Sequence, residues 1–231
     1  MEPMIVVMSR VPLPGQTKTR LMPDLSGEEC VKLQQAFLED LITLLVDTVK
    51  LPACVFYTPR DQEQLLTDIV AARLPLLPQE GADLGVRMAT AVSWGLQQGS
   101  NGVIVVGSDL PTLPTSAFLD AMEQLEQHDV VLGPTFDGGY YLIGLRNNFP
   151  EVFEGISWGT ELVLGETLER IGQSGLTVAL LPTLNDIDTY ADLLVLRREL
   201  VEAVTIGKAY PRQTYRVLAE IFRNRERGIS F

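Results

Sequence analysis

The chain has 231 residues, 46% hydrophobic and 21% charged, with a formal net charge of -12. That length and mix fit one soluble α/β unit with a large core. The acidic balance excludes non-specific nucleic-acid binding, which needs many Lys and Arg contacts to phosphate. It leaves room for a small anionic ligand in a local basic pocket. No apolar run approaches the roughly 18 residues of a membrane span, and Met1–Arg10 lacks the basic start and long apolar stretch of a signal peptide. Cys30 and Cys54 have no metal-ligand spacing and read as core thiols in a reducing, cytoplasmic compartment. The single histidine, His128, falls at a predicted helix end, which points away from catalysis.

In chain order, β and α patterns alternate. Met4–Met8 is a short buried strand. Ser26 with Glu29 forms a capping box for a helix whose apolar stripe includes Val31, Leu33, Phe37, Leu38, Leu41, Leu44 and Leu45. Ala53–Tyr57 is a second strand, and Thr58-Pro59 opens a second helix with Pro at its first position. Leu74–Leu77 is a third strand, weakened by Pro75. A helix over 83–98 precedes the strongly apolar strand Val103–Gly107, and a helix over 114–127 follows it. Val130–Gly133 and Tyr140–Leu145 are strands separated by a turn. Glu161–Ile171 is a helix, Thr177–Leu181 a strand and Tyr190–Glu202 a helix, with a last helix after Pro211. Such alternation implies a mostly parallel sheet with helices on both faces. The sequence divides into a body over residues 1–205 and a basic helical tail over 206–231. Residues 208–231 hold six basic and two acidic side chains. That tail either packs on the acidic body or offers charge to an acidic partner or lipid surface.

Ligands of open α/β sheets bind beyond the carboxyl ends of the strands, and four unusual segments follow strands here. Ser9–Leu21 places Arg10, Lys18 and Arg20 in a Pro/Gly-stiffened loop, suited to phosphate through backbone N–H groups, a point charge and a bidentate fork. It is neither a Walker loop nor a dinucleotide fingerprint. Ser108 and Asp109 lie immediately beyond the apolar strand, where Asp109 is placed to hold Mg²⁺ or Mn²⁺ or to cap a turn. In Phe136-Asp137-Gly138-Gly139, Asp-Gly signals a turn and the second glycine permits close backbone approach to a ligand. Asp137 there could take a proton from an acceptor hydroxyl, or the segment is an ordinary hairpin. In Asn185-Asp186-Ile187-Asp188, two carboxylates at i and i+2 project to the same side of an extended segment. One could complete a metal site, while Asp188 could also cap the next helix, with Asp192 in its first turn. Gln79 and Gly85, in the loop entering the 83–98 helix, could read a nucleobase. Trp158 lies in a loop suited to a lid, or anchors the core.

Taken together, S-R-x-P-x-P-G-x-x-K-T-R-L, G-A-D-L-G-x-R-M, G-S-D-L-P, G-P-x-x-D-G-G-Y-Y-L-I-G-L and N-D-I-D-T resemble a bacterial glycosyltransferase family. It is of the rSAM/selenodomain-associated transferase type, within the nucleotide-diphospho-sugar transferase superfamily. The similarity spans about residues 4–200. It implies a GT-A fold, a three-layer α/β/α sandwich on a mostly parallel mixed sheet. It implies Asp109 and Asp188 as ligands of Mg²⁺ or Mn²⁺, and Lys18 and Arg20 facing phosphate. Gln79 and Gly85 would face the base, with Ser9, Arg10, Ser108, Gly138, Gly139 and Trp158 around donor and acceptor.

Three functions remain open on the sequence. The first is glycosyl transfer from a nucleotide-diphosphate donor to a small acceptor, with Asp137, Lys18 and Arg20 as the catalytic side chains. The second is nucleotidyl transfer from a nucleoside triphosphate to a phosphorylated acceptor. The Lys-Thr-Arg-Leu and Asp-Ile-Asp-Thr segments are similar to 2-phospholactate-type guanylyltransferases, but those carry Gly-Gly-Thr-Asn where this chain has Gly138-Gly139-Tyr140-Tyr141. The third is a non-catalytic nucleotide-binding module.

Overall fold

The computed structural model describes residues 2–70 and 73–226. Its centre is a seven-stranded sheet: β1 (Met4–Arg10), β2 (Ala53–Thr58), β3 (Leu76–Pro78), β4 (Val103–Gly107), β5 (Val130–Pro134), β6 (Tyr140–Leu145) and β7 (Val178–Leu180). The strand order is β3-β2-β1-β4-β6-β5-β7. β6 runs antiparallel to both neighbours, β4 and β5, and every other pairing is parallel. The expectation of a mostly parallel mixed sheet holds.

The strands read as unbroken apolar runs because both faces are covered. Along β1, Ile5 and Val7 point to one face and Val6 to the other. Along β4, Ile104 and Val106 oppose Val103 and Val105. The first face is covered by α1 (Gly27–Thr43), α2 (Glu63–Val70) and α4 (Thr115–Leu125), through Leu38, Leu41, Ile42, Leu66, Phe118 and Leu125. The second is covered by α3 (Leu84–Gln97), α5 (Val163–Gln173) and the short 3₁₀ turn Pro150–Phe153, through Met88, Val92, Ile171 and Phe153. Layers of helix, sheet and helix result.

Local details follow the chain's chemistry. Ser26 and Glu29 form the anticipated capping box of α1. Pro59, expected inside the second helix, instead lies extended before the 3₁₀ turn Arg60–Gln62 and follows a cis peptide. Pro75 holds β3 to three residues, because it has no N–H for the ladder. Val49 ends a π-helical extension of α1, and Lys50 closes it with φ 58°.

A third apolar cluster lies outside the sheet. The far side of α1 (Cys30, Leu33, Phe37) packs on α6 (Tyr190–Thr205) and α7 (Arg212–Glu226), through Leu193, Leu196, Leu218 and Phe222. α7 begins on α1's carboxylate: the N–H groups of Gln213 and Thr214 donate to Asp40 at 3.1 and 2.7 Å. The basic helix is thus packed along the body. Among the described residues, no helix is long and apolar enough to cross a membrane.

Two predictions concern this scaffold. Asp40→Ala removes the cap of α7 and should cost about 1 kcal/mol in urea denaturation, the usual price of a lost N-cap. Asp129 ties three strands at the far sheet edge. It accepts from the Thr177 N–H at 2.9 Å and from Thr177 Oγ1 at 2.7 Å, and it pairs with Arg146. The hydrogen bonds from Thr177, with the Arg146 charge, hold its carboxyl below the ordinary carboxylate pKa of 3.8. A depressed pKa stabilises the fold above the unfolded value and is lost as pH falls through the folded one. Asp129→Asn should therefore destabilise at pH 7, and its difference from the wild type should shrink below the ordinary carboxylate range.

Candidate active site

The segments singled out by sequence meet at one end of the sheet. β1 and β4 are parallel and end together, so Ser9, Arg10, Ser108 and Asp109 share one edge. β5 ends at the same edge and turns through Thr135–Gly139 into β6. Thr135 bridges in parallel to Leu184, and the Leu184 N–H donates to Pro134 at 3.1 Å. That bridge carries Asn185–Asp188 alongside the turn. A cleft of about 850 Å³ opens over these strand ends. Its lining includes Ser9, Arg10, Lys18, Arg20, Gln79, Ser108, Asp109, Asp137, Gly139, Trp158 and Asp188, all anticipated from the sequence.

Lys18 is the hub. Its side chain is only 4% exposed. Its Nζ donates to the Ile187 carbonyl at 2.6 Å, lies 2.7 Å from Asp109 Oδ1, and stands 3.5 Å from Asp188 Oδ1. It also sits 5.4 Å from the Phe37 ring centre. A buried ammonium needs paired oxygens, and here they come from two separate loops. The Lys18 backbone is left-handed, at φ 50°, which turns the stiff loop inward. Arg20 lies outside it: 65% exposed, it donates to Asp188 Oδ2 at 3.0 Å. Arg10 is exposed and, among the described residues, has no ionic partner. The mobile positive charge of the cleft is therefore arginine, and the lysine is fixed.

Three carboxylates converge beside this hub. Ligand oxygens of Asp137, Asp186 and Asp188 all lie within 4.8 Å of one another. Burial, then the neighbouring charges of Asp137 and Asp188, push the Asp186 carboxyl up to about 6. Asp137 is locked by its own turn: Oδ1 accepts from Thr135 Oγ1 at 2.6 Å and from the Gly139 N–H at 3.0 Å. The carboxylates expected at i and i+2, Asp186 and Asp188, do share a side. Asp109 stands apart from that trio, half-exposed and ion-paired to Lys18. Asp188 does not cap α6. Thr189 does so, in a reciprocal box with Asp192, which frees Asp188 for the cleft.

The glycines divide by role. Gly138, at φ 89°, packs on the Glu161 backbone and accepts from the Leu164 N–H at 2.8 Å, so it fastens the turn to the Trp158 loop. Gly85 lies outside the lining of the main cleft. A Cβ there would come within 2.6 Å of the Phe153 carbonyl and 2.9 Å of Trp158 Nε1, so Gly85 seats the tryptophan. Gln79 donates to the backbone carbonyls of Phe56 (2.8 Å) and Ser9 (3.2 Å), stapling the ends of β1 and β2.

Two lining residues went unnoticed in the sequence. Gln34 of α1 is buried, and its Nε2 donates to Ser108 Oγ at 2.8 Å. Its place on the apolar stripe with Leu38 and Leu41, four and seven residues on, was the available signal. Arg87 of α3 borders the cleft and donates to the Gly81 carbonyl at 3.0 Å. It stands in the G-A-D-L-G-x-R-M segment, where only Gly85 was singled out for a role.

Comparison with known proteins places this architecture. A family model described as "Uncharacterized protein conserved in bacteria (DUF2064)" matches residues 41–160. A protein of Desulfovibrio desulfuricans G20, described as a "putative nucleotide-diphospho-sugar transferase", is similar in structure with TM-score 0.86 and 32% identity, over 100% of this chain and 99% of that one. More distant likenesses share the fold. The 4-diphosphocytidyl-2C-methyl-D-erythritol synthase of Anaerococcus prevotii has TM-score 0.57 and 14% identity, over 87% of this chain and all of that one. A cytidylyltransferase of Leptospira borgpetersenii has TM-score 0.55 and 13% identity, over 99% and 97%. No curated protein matches by sequence. The GT-A type of sheet read from the motifs is the observed one. With the model matched over more than half its length and a full-length relative at 32% identity, the chain belongs to the bacterial DUF2064 family, built on the nucleotide-diphospho-sugar transferase fold.

Proposed function

We propose that the chain is a metal-dependent glycosyltransferase using a nucleotide-diphosphate sugar. One observation carries the reading: three carboxylates gather within 4.8 Å beside Lys18 and Arg20, and two of them, Asp137 and Asp188, line the 850 Å³ cleft at the strand ends. Oxygen-only donors crowded against one another suit Mg²⁺ or Mn²⁺. Asp186 and Asp188 would hold the ion, with Asp109 flanking it across the Lys18 ammonium that it shares with Asp188. The bound ion would supply positive charge against the diphosphate.

The remaining roles fall to the chain's own groups. Lys18, fixed by three oxygens, keeps the Asp109 and Asp188 loops in register and adds a permanent charge below the phosphates. Arg10, and Arg20 through the guanidinium donors that do not bond Asp188, would meet the phosphate oxygens and stabilise the charge that develops on the leaving diphosphate. Asp137 has one carboxylate oxygen tied by its turn, which leaves the other to take the acceptor's proton. Gln79 lies at the β2 side, where the base would rest. Support for glycosyl over nucleotidyl transfer comes from Tyr140 and Tyr141 standing where guanylyltransferases carry Thr-Asn.

Thermal melts with Mn²⁺ and a nucleotide panel test this. Nucleotide-diphosphate sugars near 100 times Kd should stabilise by about 2.7 kcal/mol, or roughly 5–10 °C for a domain of this size. Asp188→Asn should abolish most of that shift. A preference for triphosphates would instead favour nucleotidyl transfer, and an absence of any metal-dependent shift would favour a non-catalytic module. Asp137→Asn should keep the shift but lower turnover about 100-fold or more, the range of general-base loss. Loss of the shift in that variant would make Asp137 a metal ligand instead.

A further inference from the structure

A second groove of about 690 Å³ adjoins the cleft on its α3 side, within the roughly 300–1,000 Å³ of small-molecule sites. Trp158 and Asp83 line both spaces, so the two are continuous across one tryptophan. One wall is a face of α3, presenting Thr90, Ser93, Trp94 and Gln97. The other is the connection from β6 to α5, including Asn148, Phe153 and Trp158. Apart from Asp83, Gly85 and Trp158, its lining has no part in the sequence motifs or in the proposed nucleotide site.

Its chemistry is specific. No Lys, Arg or His lines it, while the carboxylates of Asp83 and Glu154 do. The charged side chains of the lining are thus acidic, which disfavours phosphate or carboxylate ligands relative to neutral ones, although the Arg170 guanidinium packs against Gly155 at the groove's border. Hydroxyl and amide side chains supply donors and acceptors for neutral polar groups. Two indoles, Trp94 and Trp158, line it, and the negative quadrupole of an aromatic ring attracts the polarised C–H face of a pyranose. The groove meets the cleft at Trp158, and the chain beyond that residue lines the cleft toward Asp137. Trp158 continues through Gly159 and Thr160 to Glu161, whose backbone packs on Gly138, next to Asp137.

We infer that this groove is the acceptor subsite and that it takes a neutral saccharide or sugar-like polyol. The inference rests on the glycosyl-transfer reading for its chemical step. In that step the acceptor oxygen bonds to the donor's anomeric carbon as the bond from that carbon to the diphosphate oxygen breaks. The electron pair leaves on the diphosphate, and the hydroxyl proton passes to Asp137. A nucleotidyl acceptor would bring a phosphate, for which the groove holds no cation.

The chain's only two tryptophans, Trp94 and Trp158, both line the groove, so intrinsic fluorescence reports on it directly. The wild type is titrated with D-glucose, D-mannose, N-acetyl-D-glucosamine and maltose, and with glucose 6-phosphate, with and without Mn²⁺ and UDP or GDP. At least one neutral sugar should give a saturable change, with glucose 6-phosphate about tenfold weaker or silent. Thr90→Arg, on the groove wall, should remove the response, with its circular-dichroism melt as the control for folding. Failure of every neutral sugar, equal binding of the phosphate, or an unchanged response in Thr90→Arg would each overturn the inference. Thermal melts with nucleotide, run on the same samples, separate the two readings. Intact nucleotide stabilisation without a sugar response removes the acceptor subsite alone. A sugar response without nucleotide stabilisation keeps the saccharide groove and removes the donor reading.

Discussion

The buried ammonium of Lys18 is the constraint on which the site depends. Its three oxygen partners lie on two loops, and the Ile187 carbonyl is 169 residues away in sequence. An unpaired charge at 4% exposure would be costly, so the three loops can only close together. The backbone repeats the tie, since the Ile187 N–H donates to the Asp109 carbonyl at 3.2 Å. The parallel register of β1 and β4 sets two loops side by side, and the Thr135–Leu184 bridge adds the third. The sheet supplies position, and the lysine supplies closure.

This arrangement also explains the distribution of charge. A cluster of like charges is tolerable only near opposite charge. Lys18 and Arg20 partly offset Asp109 and Asp188, but Asp186 faces Asp137 and Asp188 from a half-buried position. The local excess is negative although the segment leading into it is basic. That excess is what suits a divalent cation, and the exposed arginines around it suit the anion that such a cation accompanies. A site built from arginine alone would bind phosphate without needing the carboxylates.

Much of the fold was legible because buried parallel strands leave a plain signature. Val103–Gly107 and Tyr140–Leu145 are apolar runs, and both have the expected bounds. Capping chemistry was legible at Ser26, where a local hydrogen bond decides the outcome. At 188–192 the same chemistry was misplaced by one residue, because Asp188 and Thr189 are both good caps and tertiary pairing with Lys18 and Arg20 chose between them. The antiparallel insertion of β6 between β4 and β5 has no counterpart in local sequence, since both directions give buried apolar strands. For the site, strand-end position pointed to the right loops. It could not show that Lys18 is buried or that Asp137 meets Asp186, because those facts depend on register between distant segments. Gln34 was missed for a different reason, since it reaches the cleft from a helix, where a polar residue looks ordinary, and Arg87 lay in a quoted motif without being given a role.

Trp158 then joins the two halves of the molecule's chemistry. It touches the nucleotide-side cleft and the neutral groove, and it stands edge-on to Tyr140, with ring centres 6.5 Å apart. Its loop is braced by Glu166, whose carboxylate accepts from the Ser157 N–H at 2.6 Å and from Ser157 Oγ at 3.0 Å. Gly85 gives the indole its seat on α3, and Gly138 clips the loop to the Asp137 turn. A lid free to swing would need few such ties. These are local hydrogen bonds and close packing, so the tryptophan is better described as a fixed partition. Selectivity would then come from two preformed spaces of opposite character, arginine-rimmed on one side and without cations on the other. On the proposed reading, a ligand bearing phosphate would be sorted to the first with its cation, and a neutral polyol would fit the second without competing for it.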